Sequence, residues 1–367
     1  MEHLALYRKY RPTTFEEVVG QEHITKALAH QIASGKLAHA YLFTGSRGIG
    51  KTSVARILAK AVNCLDNQNG SPCGKCASCL RLEKEADINV IEIDAASNNR
   101  VDDVRELREK VKFLPINAKY KVYIIDEVHM LTDNAFNALL KTLEEPPSHV
   151  IFILATTEVH KLPATILSRC IRFDFRLLSI ENLTKILSYV LTSEGIKYEK
   201  EALKMIAQSG EGSVRDTLSI ADCVVAYCDG EITKDDVIKV LGTTDYDLLI
   251  EYFDFLKDKN IGGMLSFVQE LDQKGKNLAV FVKDLAKHAR DLLICQTTKD
   301  PNNILNLPSE VYDKYMIQAK SIDENRLLDF MQVFVSAENE LRYTLSPRLL
   351  LESLSIDAML GHDSKKN

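Results

Sequence analysis

A glycine-rich turn between a predicted strand and a predicted helix constrains this 367-residue chain more than any other segment. The sequence Tyr41-Leu-Phe-Thr-Gly-Ser-Arg-Gly-Ile-Gly-Lys-Thr52 has the strand, loop and helix order of a phosphate-binding loop. Glycines let backbone N–H groups approach phosphates, and the helix N-terminus behind them adds partial positive charge. The order therefore predicts a nucleoside-triphosphate site, in which Lys51 bridges the β- and γ-phosphates and Thr52 contacts Mg²⁺. The predicted nucleotide-binding residues of this loop are Gly45, Ser46, Arg47, Gly48, Ile49, Gly50, Lys51, Thr52 and Ser53.

Apolar runs downstream of the loop predict a parallel sheet that is covered on both faces. Ile88–Ile93, Lys121–Asp126 and Val150–Thr156 are short runs rich in β-branched residues, as is typical of strands buried on both faces. Apolar residues at helical spacing predict intervening helices over Val101–Val111 and Asn134–Leu143. The first part of the chain is therefore expected to have an α/β fold.

Strand patterns end at about residue 175, and helical patterns follow. These cover about 180–193, 200–209, 214–227 and 234–241, and a Gly-Thr-Thr-Asp break at 242–245 precedes a longer helical region at about 246–360. The expected fold class is thus α/β followed by all-α. The predicted domains are a nucleotide-binding domain at 1–178, a small helical domain at 179–243 and a larger helical domain at 244–367.

Adjacent acids at the end of the second of these strands are the next candidate catalytic element. We expect Asp126 to lie near the Mg²⁺ shell and Glu127 to activate the attacking water. An ordinary acidic loop after a core strand is the alternative, but the phosphate-binding loop upstream favours the catalytic interpretation. Thr156 and Thr157 end the following strand, where a hydroxyl either orients water beside the γ-phosphate or caps the strand.

Four of the eight cysteines lie within sixteen positions of one another. Cys73, Cys76 and Cys79 have C-x-x-C-x-x-C spacing, and Cys64 can supply a fourth thiolate. Four thiolates close a tetrahedral Zn²⁺ site, so we expect a structural zinc module at about 62–82. Disulfides and an iron–sulfur cluster are the alternatives that the spacing leaves open. The remaining cysteines, at 170, 223, 228 and 295, stand in apolar or helical contexts.

The charge balance and hydropathy argue against two broad classes of protein, although the net charge leaves a local basic face possible. With 46 basic and 52 acidic residues the net charge is −6, which argues against a uniformly basic nucleic-acid-binding surface. No apolar run approaches the roughly 20 residues of a bilayer span. The first residues lack the basic and apolar layout of a signal peptide, so we expect a cytoplasmic protein with no membrane partner.

Several blocks of sequence resemble one family closely, the gamma/tau ATPase subunits of the clamp loader of bacterial DNA polymerase III. These blocks occupy the first half of the chain densely and continue into the predicted small helical domain. Beside the phosphate-binding loop and the cysteine segment, they are Arg8–Pro12, Val18–His23, His39–Phe43, Ile91–Ser97, Tyr123–Met130, Asn137–Pro147, Lys161–Cys170 and Gly212–Asp216.

The resemblance implies an ATPase of the AAA+ class with a nucleotide domain, a helical lid and a C-terminal helical collar. It assigns Thr157 to the sensor position, and it places Arg215 on the lid in contact with the γ-phosphate. Arg169 would act in trans, as the arginine finger of a neighbouring subunit's site. A surface salt bridge is the alternative for Arg215, and a helix-end cation is the alternative for Arg169. The implied adenine-binding residues are Arg11, Pro12, Val18 and Val19.

The resemblance also implies partners and cofactors. The chain would form a pentamer from copies of itself with delta and delta-prime subunits, open the beta sliding clamp and load it onto primed DNA. Contacts to DNA phosphates, without sequence preference, are expected near Arg100 and Arg105, with a solvated helix face as the alternative. The implied cofactors are Mg²⁺ with ATP and structural Zn²⁺. Polymerase activity would belong to the holoenzyme, a DNA-directed DNA polymerase, by association.

Two other functions are compatible with parts of the same sequence. A different AAA+ motor, such as a branch-migration helicase subunit, also has a Gly-Gln segment before the phosphate-binding loop, but the four-cysteine segment and Ser-Arg-Cys at 168–170 favour the clamp loader. A scaffold subunit that does not hydrolyse ATP is the other alternative. The presence of Lys51, Thr52, Asp126 and Glu127 argues against that scaffold.

Overall fold

The computed structural model describes residues 4–67, 69–83, 87–97, 107, 109–228, 230–241, 246–305, 307, 309–341, 344 and 346–360. The chain divides into two compact units, Met1–Val237 and Ile238–Asn367. The first unit contains a parallel sheet and the helices around it, and the second is helical in its described part. The α/β-then-α fold class predicted from the sequence is confirmed.

Five parallel strands form the sheet of the first unit, in the order β2-β3-β4-β1-β5. Every residue of β1 and β4 is buried, because both strands lie inside the sheet and carry near-continuous apolar runs. The edge strand β2 is only partly buried. The strand bounds are β1 Ala40–Thr44, β2 Val90–Asp94, β3 Lys121–Asp126, β4 Val150–Thr156 and β5 Ile171–Asp174.

The register of the sheet places the ends of the central strands side by side. Thr44 of β1 is opposite Thr156 of β4, and Ile125 of β3 is opposite Leu154 of β4. In a parallel sheet all carboxyl ends share one edge, so the loops after β1, β3 and β4 meet there. This edge receives the glycine-rich loop, the acidic pair and the threonine pair.

Helices surround the sheet and then form the remainder of the first unit. Side chains such as Phe136 and Leu139 pack with Tyr123 and Phe152 of the strands in a continuous apolar core. Short 3₁₀ turns at Val128–Met130 and Val159–Lys161 follow β3 and β4. The α-helices up to the boundary of the units are Leu6–Lys9, Glu22–Ala33, Lys51–Val62, Ala77–Glu83, Asp133–Glu144, Ala164–Leu167, Ile180–Ser193, Lys200–Ser209, Val214–Tyr227 and Lys234–Leu241.

The second unit has a core of its own, rich in aromatic residues. The rings of Tyr252, Phe253 and Phe330 are fully buried, and the imidazole of His288 lies between Phe253 and Tyr315 with ring centroids 4.6 and 4.5 Å away. Side-chain packing, not local propensity, holds these helices together. Their bounds are Tyr246–Lys257, Ile261–Gln273, Leu278–Thr297, Asn302–Leu305, Ser309–Ser321, Glu324–Leu341 and Pro347–Leu360.

The observed strands differ from the predicted ones in two respects. The predicted strand Ile88–Ile93 begins instead at Val90, and Ile88 is exposed. Strand β5 was not predicted, because four residues with alternating charge pair on one side only and carry no continuous apolar run. The predicted helix Val101–Val111 lies largely outside the described residues. Within the described part of the chain, no helix is both long and apolar enough to cross a membrane.

Candidate functional site

The glycine-rich loop leaves β1 and enters the helix Lys51–Val62 through backbone angles that suit glycine. Gly50 has φ 104° at the helix N-cap, a left-handed conformation that side chains disfavour. Gly48 has φ 75°, and a Cβ built there would lie 2.2 Å from the Ser213 hydroxyl. Gly48 is therefore needed for two reasons. It permits the turn, and it leaves room for Ser213 at the start of the helix Val214–Tyr227.

Lys51 is held inside the loop. Its ammonium donates hydrogen bonds to the carbonyl oxygens of Gly45 and Ser46 over 2.7 and 2.8 Å, and the residue is only 5% exposed. Burial lowers the pKa of Lys51, while the nearby carboxylates of Glu127 and Asp126 act in the opposite direction. The loop therefore holds the Lys51 ammonium at a point where an anionic ligand can accept its hydrogen bonds in place of the two carbonyl oxygens.

The hydroxyl of Thr52 and the carboxylate of Asp126 meet although they come from different elements. Thr52 Oγ1 donates to Asp126 Oδ2 over 2.7 Å. Hydroxyl and carboxylate oxygens are hard ligands of the kind that Mg²⁺ prefers beside phosphates. This pair therefore fits the magnesium position that the sequence predicts.

Glu127 begins the turn after β3 in a strained left-handed conformation, with φ 47° and ψ 45°. Its Oε2 accepts hydrogen bonds from the backbone N–H of Thr157 over 3.3 Å and from the Thr157 hydroxyl over 3.1 Å. The predicted base and the predicted sensor are therefore in direct contact at the edge of the sheet.

His129 also belongs to this cluster, although no role was predicted for it from the sequence. Its Nδ1 lies 3.0 Å from the Thr156 hydroxyl and 3.4 Å from Glu127 Oε2, and its Nε2 lies 3.1 Å from Glu158 Oε2. The side chain is only 7% exposed. Its position two residues after Glu127 is visible in the sequence, but the 3₁₀ turn that brings it to these partners is not.

The helix Val214–Tyr227 contacts the glycine-rich loop directly. The backbone N–H of Arg215 donates to the carbonyl oxygen of Gly48 over 3.1 Å. Ser213 caps this helix by accepting from the backbone N–H of Asp216 over 3.2 Å. The structure thus brings the Arg215 backbone to the loop and places its guanidinium carbon 5.0 Å from the centre of the Tyr7 ring, while its contact with the γ-phosphate stays a prediction.

The segment predicted to contact adenine runs between the first two helices. Arg11, Pro12, Val18 and Val19 are all partly buried. The segment ends at Gln21, which is fully buried and exchanges two hydrogen bonds with the Arg176 backbone over 2.7 and 3.2 Å. It is therefore anchored to the connection that leads into the helices after β5, and its contact with adenine stays a prediction.

Arg169 makes its described contacts away from the glycine-rich loop of its own chain. Its guanidinium donates to the carbonyl oxygen of Thr165 and to Glu144 Oε1, each over 2.8 Å, and it also contacts the Ser168 hydroxyl. The side chain is 31% exposed. Arg100 and Arg105, which were predicted to contact DNA, lie outside the described residues.

The four clustered cysteines converge on one point. Their Sγ atoms all lie within 4.8 Å of one another, with Cys64 and Cys76 4.0 Å apart and Cys73 and Cys79 3.9 Å apart. A tetrahedron of thiolates around Zn²⁺ has S–S edges of about 3.8 Å, given Zn–S bonds of about 2.3 Å. The donor set and its spacing therefore fit a closed four-thiolate zinc site.

Backbone N–H groups support thiolate formation within this cluster. Cys73 Sγ accepts from the N–H groups of Lys75 and Cys76 over 3.5 and 3.4 Å, which lowers its pKa. Burial opposes ionisation of Cys76, but N–H donors from Leu65 and Cys79 lower its pKa to about 6. Burial instead raises the pKa of Cys64 and Cys79.

Three family models match successive parts of the chain. Residues 20–179 match a model described as the delta subunit of DNA polymerase III. Residues 182–230 match the ATPase lid domain of a DNA polymerase III clamp loader subunit. Residues 232–361 match domain III of the DNA polymerase III subunits gamma and tau.

Curated relatives cover from 70% of the chain to nearly all of it. The tau subunit of DNA polymerase III from Bacillus subtilis is 42% identical over 96% of this chain, which spans 62% of that relative's length. The gamma subunit from Buchnera aphidicola is 43% identical, over 70% of this chain and 70% of its own length. Among solved structures, the Thermotoga maritima RuvB Holliday junction branch migration motor aligns with a TM-score of 0.49 and 18% identity, covering 84% of this chain and 91% of its own.

Proposed function

This chain belongs to the gamma/tau family of DNA polymerase III subunits, and from that premise we propose that it is an ATPase subunit of a bacterial replicative clamp loader. It would use ATP binding and hydrolysis to open the beta sliding clamp and to load the clamp onto primed DNA. The observation that carries this proposal is the cluster of Lys51, Thr52, Asp126, Glu127 and Thr157 at one edge of the sheet.

Each member of this cluster has a role that its contacts support. Lys51 would exchange its hydrogen bonds to the Gly45 and Ser46 carbonyls for phosphate oxygens. Thr52 and Asp126 would hold Mg²⁺, which neutralises phosphate charge when bound. The turn Gly45–Ser53 would place its N–H groups against the triphosphate.

Glu127 would accept the proton of the attacking water. Its carboxylate accepts hydrogen bonds from Thr157, so Thr157 controls which way it faces. When Thr157 donates instead to the γ-phosphate, Glu127 is released to orient water. This exchange would couple hydrolysis to the presence of the terminal phosphate.

Arg169 would complete the site of a neighbouring subunit. It is partly exposed and makes its described contacts with Thr165, Ser168 and Glu144, on elements remote in sequence from the loop. A planar guanidinium suits the charge that develops on a transferring phosphoryl group. Hydrolysis would therefore require assembly with delta, delta-prime and further copies of this chain.

The cysteine cluster would hold one structural Zn²⁺. Four protein thiolates leave no open coordination position, so the metal would stabilise the segment at about 62–82 and take no part in hydrolysis. A closed site of this kind contributes folding energy.

In this function residues 1–178 would form the nucleotide domain, residues 179–243 the lid and residues 244–367 the oligomerising collar. DNA would contact the subunit mainly through phosphates, with little sequence preference. Arg100 and Arg105 stay candidates for such contacts. Membership of the polymerase holoenzyme, in the cytoplasm at the replication fork, is part of the same proposal.

Reconstitution tests the proposal. The chain would be assembled with delta and delta-prime, and ATP turnover would be measured with and without beta clamp and primed DNA. We expect turnover to rise at least about tenfold when both are present, since clamp and DNA would hold the assembled ring in the geometry in which Arg169 reaches the neighbouring site. Junction movement without a clamp would instead support the branch-migration motor, and tight ATP binding without turnover would support a scaffold.

A further inference from the structure

The N-terminal helix Leu6–Lys9 docks onto the lid region of the first unit. The backbone N–H of Leu6 donates to Asp222 Oδ2 over 2.9 Å, on the helix Val214–Tyr227. Lys9 pairs with Glu194 over 2.5 Å, just beyond the helix Ile180–Ser193. The helix is thus fixed to two lid helices, and it leads directly into the segment predicted to hold adenine.

This docking places the Tyr7 ring beneath the Arg215 guanidinium. The guanidinium carbon of Arg215 lies 5.0 Å from the centre of the ring. A cation at this distance over an aromatic face is attracted by the ring quadrupole. The same phenol accepts a hydrogen bond from Arg8 Nε over 3.3 Å, which is the main cause that lowers the Tyr7 pKa, and the charge of Arg215 adds to it.

The Tyr7 side chain engages only part of the Arg215 guanidinium, through the ring and through its hydroxyl. A guanidinium carries five N–H donors, so those that do not face the phenol stay available to phosphate oxygens. Arg215 is exposed, so its long side chain would otherwise sample many rotamers. Meanwhile the backbone N–H of Arg215 is fixed to Gly48, which leaves the side chain as the mobile part.

We infer that Tyr7 is a positioning residue for Arg215, which holds the guanidinium ready for the terminal phosphate of bound ATP. This inference rests on the proposed ATPase function and on the γ-phosphate contact that the family resemblance implies for Arg215. Because Tyr7 belongs to the helix that precedes Arg11 and Pro12, it also links the adenine end of the site to the phosphate end. Tyr7 would thereby strengthen the preference for ATP over ADP.

The test compares nucleotide affinities of the full chain and four variants. The variants are Tyr7→Phe, Tyr7→Leu, Arg215→Gln and the double variant Tyr7→Leu with Arg215→Gln. A non-hydrolysable ATP analogue and ADP are titrated by calorimetry, and the readout is the ratio of the two dissociation constants. A loss of folding or of lid docking would weaken both nucleotides alike, so the ratio isolates contact with the terminal phosphate.

We expect Tyr7→Leu to reduce the preference for the ATP analogue by roughly two- to fivefold, the range of an exposed cation–π contact. Tyr7→Phe keeps the ring, loses the hydroxyl contacts with Arg8 and Arg215, and should match the wild type because the ring is what orients Arg215. In the Arg215→Gln background, Tyr7→Leu should have no further effect on the ratio.

Three results would overturn the inference. If Tyr7→Leu leaves the ratio unchanged while Arg215→Gln lowers it, Arg215 acts without Tyr7, and the proposed function stands. If Tyr7→Leu strengthens binding of the ATP analogue, the ring holds Arg215 away from the phosphate. If Arg215→Gln itself leaves the ratio unchanged, the phosphate-sensing role of Arg215 fails, and the inference fails with it.

Discussion

The Thr52 hydroxyl donates a hydrogen bond to the Asp126 carboxylate over 2.7 Å, although 74 positions separate the two residues in the chain. The contact exists because β1 and β3 both point their carboxyl ends at the same edge of the sheet. It joins the phosphate-binding loop to the acidic turn, the two elements that nucleotide hydrolysis requires.

Lys51→Ala should weaken ATP binding by at least about 100-fold, because a buried cation would be lost from the phosphate position. Calorimetric titration with a non-hydrolysable ATP analogue measures the effect. The matched control is Lys36→Ala, an exposed lysine in the turn before β1, which should bind as tightly as the wild type. Tight binding by Lys51→Ala would contradict the assignment of the loop.

Glu127→Gln should preserve ATP affinity and reduce turnover in the assembled complex by about 10²- to 10⁴-fold, the range expected for loss of a general base. The amide keeps the shape of the side chain and can still accept hydrogen bonds from Thr157. Single-turnover hydrolysis and equilibrium binding separate the two effects. Unchanged turnover would assign activation of the water to another group.

Cys76→Ser should lower the zinc content from about one ion per chain and reduce the melting temperature, because a closed four-thiolate site contributes folding energy. Elemental analysis and thermal unfolding measure the two effects. Cys223→Ser, at an exposed position of the lid, is the control and should keep the metal. A zinc-free protein with full activity and stability would contradict the zinc assignment.

His288 should make the second unit less stable in mild acid. The imidazole is 1% exposed, and burial lowers its pKa to about 4. Gln318 donates its own N–H groups to Ile250 and Asp254, so its Oε1 accepts from His288 Nε2, and this hydrogen bond opposes the larger effect of burial on the pKa. A depressed folded-state pKa means that stability is present above the unfolded pKa near 6.5 and is lost as the pH falls toward 4.

The expected loss between pH 6.5 and pH 4 is about 3 kcal/mol from this residue, since 2.5 pKa units correspond to that free energy. Urea unfolding of the wild type and of His288→Gln across this range gives the difference in slope. Burial raises the pKa of Asp291 to about 6, so protonation of Asp291 stabilises the folded unit as the pH falls and offsets part of the effect of His288. The contribution of His288 is therefore the difference between the two proteins. Identical slopes would contradict the prediction.

Much of the fold was predictable because its elements carry strong local patterns. The strand Val150–Thr156 was predicted with its observed bounds because six consecutive apolar residues precede a threonine. All seven residues are buried in the structure. The helix Val214–Tyr227 also has its predicted bounds, with a serine cap at its start. Strand β5 escaped prediction because a four-residue edge strand with Arg172 and Asp174 lacks such a pattern.

The candidate site likewise contains some residues that the sequence predicted and others that it did not. Motif order and parallel topology were sufficient to predict that Lys51, Thr52 and Asp126 would lie together. The contacts of His129 with Glu158, and of Tyr7 with Arg215, depend on how turns and helices dock in three dimensions. Docking of this kind leaves no periodic pattern in the sequence, so only the structure could identify them.

The ion pair between Arg169 and Glu144 bears on the central proposal. It joins the residue proposed as the finger to the helix Asp133–Glu144 of its own chain over 2.8 Å. Both side chains are partly exposed, so the pair is weak and can be exchanged for a neighbour's phosphate. Arg169 can therefore break its ion pair with Glu144 and reach the site of a neighbouring subunit without a large loss of stability.

The most direct test of the proposal compares complexes assembled from wild-type subunits with complexes assembled from Arg169→Ala subunits. The quantity measured is ATP turnover in the presence of clamp and primed DNA. We expect unchanged ATP affinity and turnover lower by about 10³-fold or more, the loss typical of an arginine finger. Wild-type turnover by the Arg169→Ala complex, or equally fast turnover by a verified monomer of the wild type, would contradict hydrolysis that is completed by a neighbouring subunit.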